Sequence, residues 1–303
     1  MKDTVLRKTL AQELLNYTIG TRIPTVRELA DRFQASIGAV QSVLTFFERE
    51  NIFTYDKRGH LGSFLTSVSA GKVWEIIHSG KPLVISLPLP TTSICEGLAT
   101  AIKFELSQSA IDIYLTFLRG SKRRLRALRQ GSCDLILNSK FAAEMNHLEN
   151  EEIFLELPHR TYVREHRVYY RDQPNPDGIK PFKVILDTDS MDLQRLTEME
   201  FGGMDVEFVP ASFMQIPTLL TDGKADAAVW DIDEAEDKLP DEIKFRSISM
   251  KVSEQIGHSP YIATLIGKKE DLVSKAVVDS YINKENVLHI QKEVMNKIRL
   301  PEY

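Results

Sequence analysis

The sequence predicts an α/β fold in two parts: a small helical head closed by a β-hairpin, then a long stretch of alternating strands and helices. Three observations carry this. Two apolar stripes of helical period lie close together between Thr25 and Phe47. Two β-rich segments joined by a basic, glycine-containing turn follow, from Asn51 to Leu65. From Pro82 onward short apolar runs of strand length alternate with helical stripes, the pattern of βαβ units around a mainly parallel sheet. A chain of 303 residues, 43% hydrophobic and 27% charged, is long enough for two or three such domains.

Composition removes several function classes. No run approaches the ~20 apolar residues that a bilayer span requires. Met1-Lys2-Asp3-Thr4 lacks the apolar core of a signal peptide. Cys95 and Cys133 are too few for a disulfide framework and fit the reducing cytoplasm. A formal charge of -5 argues against a protein that coats nucleic acid over its whole surface. It leaves room for one DNA-binding domain, since residues 1–68 hold nine Lys/Arg against seven Asp/Glu.

Leu6, Leu10, Leu14 and Leu15 form the stripe of a first helix, which Gly20 ends. Pro24 keeps Ile23 extended, so the chain reaches the next cap from outside the helix. Thr25 lies three residues before Glu28, the spacing of a capping box. Val26, Leu29, Ala30 and Phe33 make one helical face; Val40, Val43, Leu44 and Phe47 repeat the same offsets, with Ser36 as the second N-cap. Two short helices joined by so tight a turn form a helix-turn-helix. Asn51 to Tyr55 and Leu61 to Leu65 then read as two strands, with Asp56-Lys57-Arg58-Gly59-His60 between them, which makes the motif winged.

The polar face of the second helix carries Gly38, Gln41, Ser42 and Thr45, small and uncharged enough for a major groove. Arg22, Arg27, Lys57 and Arg58 are expected to sit on phosphates while Gln41, Ser42 and Thr45 read base edges; Thr25, Ser36, Gly38 and His60 complete the candidate DNA-binding set. So few cations bind weakly in one copy. Two copies double the phosphate contacts and match half-sites about 34–36 Å apart, so a homodimer on double-stranded DNA is expected.

Residues 20–65 resemble the winged helix of the GntR class of bacterial regulators. The matching pieces are Gly20-x-Arg22-Ile23-Pro24-Thr25-x-Arg27-Glu28-Leu29-Ala30, Ser36, Val40, and the wing Gly59-x-x-Gly62-Ser63-Phe64-Leu65. The resemblance implies phosphate contacts by Arg27 and the wing. The sequence departs from the class at Ile37 and Gln41, where arginines are usual.

Ser67 to Lys81 joins the two parts. Val73, Trp74, Ile76 and Ile77 form a short amphipathic helix that packs on its own domain, connects, or contributes to a dimer. Strands follow at 83–87, 111–118 and 133–137, each leading into a helix, and Thr161 to Arg171 is a long extended run. Gln173-Pro174-Asn175-Pro176-Asp177-Gly178 breaks the chain. A second set has strands at 184–186, 206–209 and 226–230, and two helices near 270–282 and 287–298 close the chain after strands at 244–248 and 261–266.

Gly131-x-x-Asp134-Leu135 and Gly223-x-x-Asp226-Ala227 echo each other, one in each half. With that echo, the second part resembles the paired lobes of type 2 periplasmic-binding-protein folds, Thr161–Arg171 crossing out and the segment near Asp237–Phe245 crossing back. The expected division is a winged helix-turn-helix over 1–68, a linker over 69–82 and an effector-binding domain over 83–303. Lobe I would hold about 83–165 and 240–303, lobe II about 172–236. Over most of its length the chain also resembles the YhfZ family of bacterial regulators. The pieces are Pro88-Leu89-Pro90, Glu96-Gly97-Leu98-Ala99, Arg119-Gly120, Pro158-His159-x-Thr161-Tyr162-Val163-x-Glu165-His166, Phe201-Gly202-Gly203-x-Asp205-Val206-Glu207 and Asp226-Ala227-x-Val229-Trp230. The resemblance supplies no ligand.

In open α/β sheets ligands sit beyond the carboxyl ends of strands. Here those ends offer Pro90, Thr91, Thr92 and Ser93; Arg119, Gly120 and Ser121; Asn138 and Ser139; Asp187, Thr188, Asp189 and Ser190; and Asp231. Arg119 is the best single anion contact, since a guanidinium grips a carboxylate or phosphate through two bonds. Tyr162, Glu165 and His166 are expected on the crossing strand, facing the cleft or, for Glu165 and His166, making structural hydrogen bonds between the lobes, and Asp187 with Asp189 suits an amine. A small anionic or zwitterionic metabolite fits this set. The run Lys122-Arg123-Arg124-Leu125-Arg126 reads as a solvated helix face.

His147, His159, His166 and the cysteines lack metal-ligand spacing, and Asp187-x-Asp189-x-x-Asp192 lacks the glycine and terminal glutamate of a calcium loop. With neither a Walker A nor a G-x-S-x-G elbow, no cofactor or catalytic residue is expected. The sequence therefore predicts a non-enzymatic, ligand-responsive DNA-binding regulator. The alternative is an enzyme or transferase of the same lobed fold with an accessory winged helix.

Overall fold

The computed structural model describes residues 3–172, 181–235 and 238–303. The Gln173–Gly178 break and the first residues of the return near Asp237 lie outside them. The chain forms two compact units, one of Met1–Leu83 with Glu105–Ile113 and Lys269–Ile282, the other of Val84–Phe104, Tyr114–Lys268 and Asn283–Tyr303.

In the first unit, α1 (Asp3–Leu14), α2 (Val26–Arg32) and α3 (Ile37–Arg49) bury the apolar stripes read in the sequence, with Leu10, Leu14, Leu29, Val40 and Phe47 wholly inside. The capping box is present: Glu28 N–H donates to Thr25 Oγ1 over 3.3 Å, and Thr25 N–H to Glu28 Oε2 over 2.6 Å. Ser36 Oγ likewise accepts from Ala39 N–H at 3.2 Å. Gln34, at φ +49°, makes the turn between α2 and α3. β1 (Phe53–Lys57) and β2 (Ser63–Val68) pair antiparallel as the wing. The segment expected as a linker is in part a packed helix. α4 (Ala70–His78) lies against α1 and against α12 (Leu272–Tyr281). Its Trp74 is fully buried and donates Nε1–H to Lys81 O at 2.8 Å.

The remaining strands form two five-stranded sheets. One has β3 (Leu83–Leu87), β4 (Ile113–Phe117), β5 (Leu135–Ser139), β6 (Glu151–Glu156) and β12 (Ala263–Lys268) in the order β4-β3-β5-β12-β6. The other has β7 (His166–Arg171), β8 (Phe182–Leu186), β9 (Val206–Pro210), β10 (Ala227–Asp231) and β11 (Ile243–Ser247) in the order β11-β7-β10-β8-β9. Both obey one rule. The lobe's own first three strands lie side by side, and the strand arriving from the other lobe, β12 or β7, enters antiparallel beside the third. This is the type 2 periplasmic-binding-protein arrangement.

α5 (Ser93–Ser107), α6 (Ser121–Arg129) and α7 (Lys140–Met145) belong to the first set, α8 (Met191–Phe201), α9 (Ile216–Thr221), α10 (Ile232–Ala235) and α11 (Met250–Ile256) to the second, and α13 (Lys284–Met295) follows α12. β5 is buried along its whole length, as a central strand covered on both faces must be. Leu125, Leu128, Ile136 and Ile266 pack on one face of the first sheet; Val184, Leu196, Val229 and Val252 pack in the second.

Three expectations change. The sheets are mixed rather than mainly parallel, because each lobe accepts an antiparallel strand from the other. The extended run narrows to His166–Arg171, while Thr161 to Glu165 makes the crossing, held where Thr161 N–H and Tyr162 N–H both donate to Tyr261 O. β11, expected in lobe I, pairs antiparallel with β7 in the second sheet. The sequence reading also missed β6, an acidic strand, and α11.

Candidate functional site

In the first unit, Gly38, Gln41, Ser42 and Thr45 lie exposed along α3, opposite the buried Val40, Val43, Leu44 and Phe47. Gln41 Nε2 reaches Thr45 Oγ1 at 3.5 Å, and among the described residues this exposed face makes no side-chain hydrogen bond to another element. Arg22, Thr25, Arg27, Ser36, Lys57, Arg58 and His60 are exposed as well. The wing cations are already engaged: Lys57 Nζ pairs with Glu48 at 2.6 Å and Arg58 Nε with Asp56 at 2.7 Å. Arg58 also lies over the Phe64 ring, 4.4 Å from its centroid. Gly62 has φ +95°, and a Cβ there would come within 2.7 Å of Arg22 Nε, so the wing turn needs a glycine beside that arginine.

In the second unit, the carboxyl ends of β3, β4, β8 and β10 converge with the crossing segment around a cavity of about 90 Å3. Of the residues expected there, Thr91, Thr92, Arg119, Gly120, Ser121, Tyr162, Ser190 and Asp231 line it. Asn138 and Ser139 sit just behind, fully buried. Pro90, Ser93, Glu165, Asp187, Thr188 and Asp189 are not on its wall. Glu165 is held by Arg167, whose Nε lies 3.0 Å away.

Arg119 is not the free anion contact that its neighbours suggested. Its Nη1 donates to both carboxylate oxygens of Asp187, at 2.9 and 3.1 Å, and its Nη2 to Asp189. Arg123 adds a pair to Asp189 at 2.7 Å, and these two guanidinium groups hold the Asp189 carboxyl below its usual range, Arg123 most of all. Asp187 is further fixed by the N–H groups of Asp189 and Phe213. The acidic loop expected to recognise an amine is thus the partner of Arg119, and together they tie lobe to lobe. Gly120 makes the approach possible, since a Cβ there would sit 2.6 Å from Asp189 O.

The cation of the cavity is Arg124, from the run expected to be a solvated face. It is 2% exposed, because Ser121, Arg124, Leu125 and Leu128 form the buried stripe of α6. Its Nε donates to Asn138 Oδ1 (2.9 Å), Nη1 to Leu118 O (2.7 Å) and Nη2 to Tyr162 Oη (2.9 Å). All three acceptors are neutral, and Arg124 forms no ion pair among the described residues. A buried guanidinium is costly unless negative charge joins it; the Asp192 carboxyl, held by Ser139, is within electrostatic reach, but no carboxylate touches Arg124 among the described residues.

The opposite wall is acidic. Asp233 is held by Arg164, and Glu234 by Lys238 and Thr91. Asp192 accepts from Ser139, and burial pushes its carboxyl up to about 6. Asp231 accepts Glu234 N–H at 2.8 Å and forms no ion pair among the described residues. Burial first, and then the charge of Glu234, push it up to about 8. His166 also lines the cavity with Nδ1 unpartnered, and burial lowers it to about 4, so its ring is neutral. The Cys95 thiol is pushed up to about 12 by burial and is no nucleophile at neutral pH. No helix among the described residues is long and apolar enough to cross a membrane.

Residues 70–303 match the family described as the YhfZ C-terminal domain, and residues 18–65 match a helix-turn-helix domain. The chain is 32% identical over 234 residues to the uncharacterized protein YhfZ of Escherichia coli (strain K12), covering 76% of this chain and 75% of that protein. It is similar to the crystal structure of YhfZ from Shigella flexneri at 26% identity and TM-score 0.62, with 77% of this chain and 100% of that chain covered.

Proposed function

Because this chain belongs to the YhfZ family and carries a helix-turn-helix domain, we propose that it is a ligand-responsive, DNA-binding transcription regulator. It acts as a homodimer in the cytoplasm and senses a small metabolite in the cavity between the lobes of its second unit. The observation that supports this best is the bare polar face of α3, with Gln41, Ser42 and Thr45 exposed between capped helices and a wing. A glutamine both donates and accepts, which suits adenine in the major groove. Arg22 and Arg27 position the domain on phosphates. One copy brings few cations to the duplex, so two copies share an operator with half-sites about one helical turn apart.

In the second unit, Arg119 with Asp187 and Asp189, and Thr91 with Glu234, tie the lobes on two sides of the cavity. A metabolite held between the lobes adds to those ties, and the fraction of closed chain rises with its concentration. The test starts with operator selection from a random DNA pool on the full chain, followed by sedimentation of the complex. Recovery of a two-fold sequence bound by two copies is expected. Failure to bind any duplex at low ionic strength overturns the regulator.

A further inference from the structure

Two ionisable groups on the cavity wall, Arg124 and Asp231, form no ion pair among the described residues. Arg124 uses three of the five N–H groups of a guanidinium on neutral acceptors, which leaves two for a ligand. Of the acids lining the cavity, Asp233 and Glu234 already hold cations and Asp192 accepts from Ser139 within reach of the Arg124 charge, whereas Asp231 uses one oxygen on a backbone N–H. Arg124 and Asp231 line the same cavity, with Cys95 on the wall as well. A purely anionic ligand satisfies Arg124 but brings its charge up against an acidic wall. A purely cationic ligand leaves the buried guanidinium uncompensated. Only a molecule with both charges answers both.

We propose that the ligand is a small zwitterion, its carboxylate on Arg124 and its ammonium on Asp231. A carboxylate matches the planar guanidinium through two parallel bonds. The Ser121 hydroxyl, which accepts Met191 N–H at 3.0 Å, keeps its own hydrogen for the same carboxylate. The unpartnered Nδ1 of His166 is a further polar atom on the wall, and its neutral ring adds no charge to either end. The cavity of about 90 Å3 suits a small molecule such as an amino acid or a short ω-amino acid. That burial pushes Asp231 up to about 8 agrees with a carboxyl lacking its cation.

This deepens the regulator reading and rests on it for the meaning of binding, but not for binding itself. The test is a thermal-shift and calorimetric screen of the full chain against the twenty L-amino acids, β-alanine and γ-aminobutyrate. Each is matched with its deaminated acid and its decarboxylated amine. At least one short zwitterion should bind, and its acid and amine should each bind at least tenfold more weakly. Asp231→Asn should weaken the zwitterion tenfold or more, and Arg124→Met should abolish its shift, with circular dichroism confirming that both variants fold. An acid that binds as tightly as its amino acid, or no zwitterion bound at all, overturns the proposal. Either result leaves the regulator reading standing if the operator is still bound, and loss of all DNA binding fails that reading alone.

Discussion

Asp134 and Asp226 occupy equivalent places in the two lobes and make the same bonds. Each carboxylate accepts the N–H of the second residue of its lobe's first strand, Val84 at 2.8 Å and Lys183 at 2.7 Å. Each backbone N–H donates to the carbonyl of that same residue, at 2.8 Å in both lobes. The glycines three positions earlier turn at φ +72° and +67°. A two-pronged bond of this kind sets the start of the third strand against the first, before the parallel ladder begins.

Asp226, 6% exposed, is the more deeply placed of the two. Its replacement by alanine leaves Lys183 N–H without an acceptor and should cost about 1–3 kcal/mol. Urea denaturation followed by fluorescence measures this, and Trp230, fully buried on the adjoining strand, is a probe within the affected lobe. An unchanged midpoint would mean that water replaces the carboxylate without loss.

The wing offers a gain rather than a loss. Arg58 is paired with Asp56, and Lys57 with Glu48, at exposed positions where such pairs contribute about 0–1 kcal/mol. Asp56→Asn frees Arg58 and removes a negative charge facing the phosphates. DNA should then bind more tightly, by up to about fivefold. Arg27→Ala, by contrast, should weaken all sequences alike and lower the salt slope by ~1. Fluorescence anisotropy across a salt series separates the two.

The winged helix was legible because each of its signals is local. Thr25 and Glu28 carry their partnership in their spacing, and the stripes from Val26 and Val40 name their own buried faces. The Gly-x-x-Asp echo was also visible, and its meaning lies in the bonds of Asp134 and Asp226. The effector site was harder, because strand ends name a neighbourhood but not which charges cancel. Arg119 stands beside glycine and serine in the sequence, and nothing local says that Asp187 comes to meet it from 68 residues away. Arg124 did leave a signal. It falls three residues after Ser121 and four before Leu128, in the stripe that must turn inward, so a cation there is buried whatever its neighbours are. β11 was assigned to the wrong lobe because a five-residue strand does not record which sheet edge it joins.

Arg119 ties the loop after β4 to the loop after β8, and its removal leaves Asp187, 4% exposed, without a cation. Arg119→Ala should lower stability on the order of 3 kcal/mol, the usual cost of breaking a buried pair from one side. The lobes should also open, which small-angle scattering reads as a larger radius of gyration. Effector affinity should fall in proportion to the closed fraction rather than vanish, because the variant keeps Arg124.

The cavity acids give stability a pH signature. Asp231 titrates at about 8 in the folded chain, against an ordinary aspartate near 4 when unfolded. Between those values the folded state holds the extra proton, so this contribution is complete below about pH 4 and is lost as pH rises through 8. Glu234 and Asp233 press in that direction, while the Glu234 N–H and Lys238 oppose it; the neutral Cys95 thiol and His166, opposite Asp231 in the strand pairing, complete the surroundings. His166 runs the other way: with its folded value near 4, its contribution is present above about 6.5 and is lost as pH falls through 4. Above about pH 7 the His166 contribution is nearly complete and Asp192, raised to about 6, has nearly finished titrating, so from pH 7 to 8 the Asp231 contribution is the steepest of the three, at up to about 1.4 kcal/mol per unit. The urea midpoint of the ligand-free chain should therefore fall across that interval, and Asp231→Asn should flatten the fall. A midpoint that rises from pH 7 to 8 in the unsubstituted chain would mean that Asp231 is already ionised and has its cation.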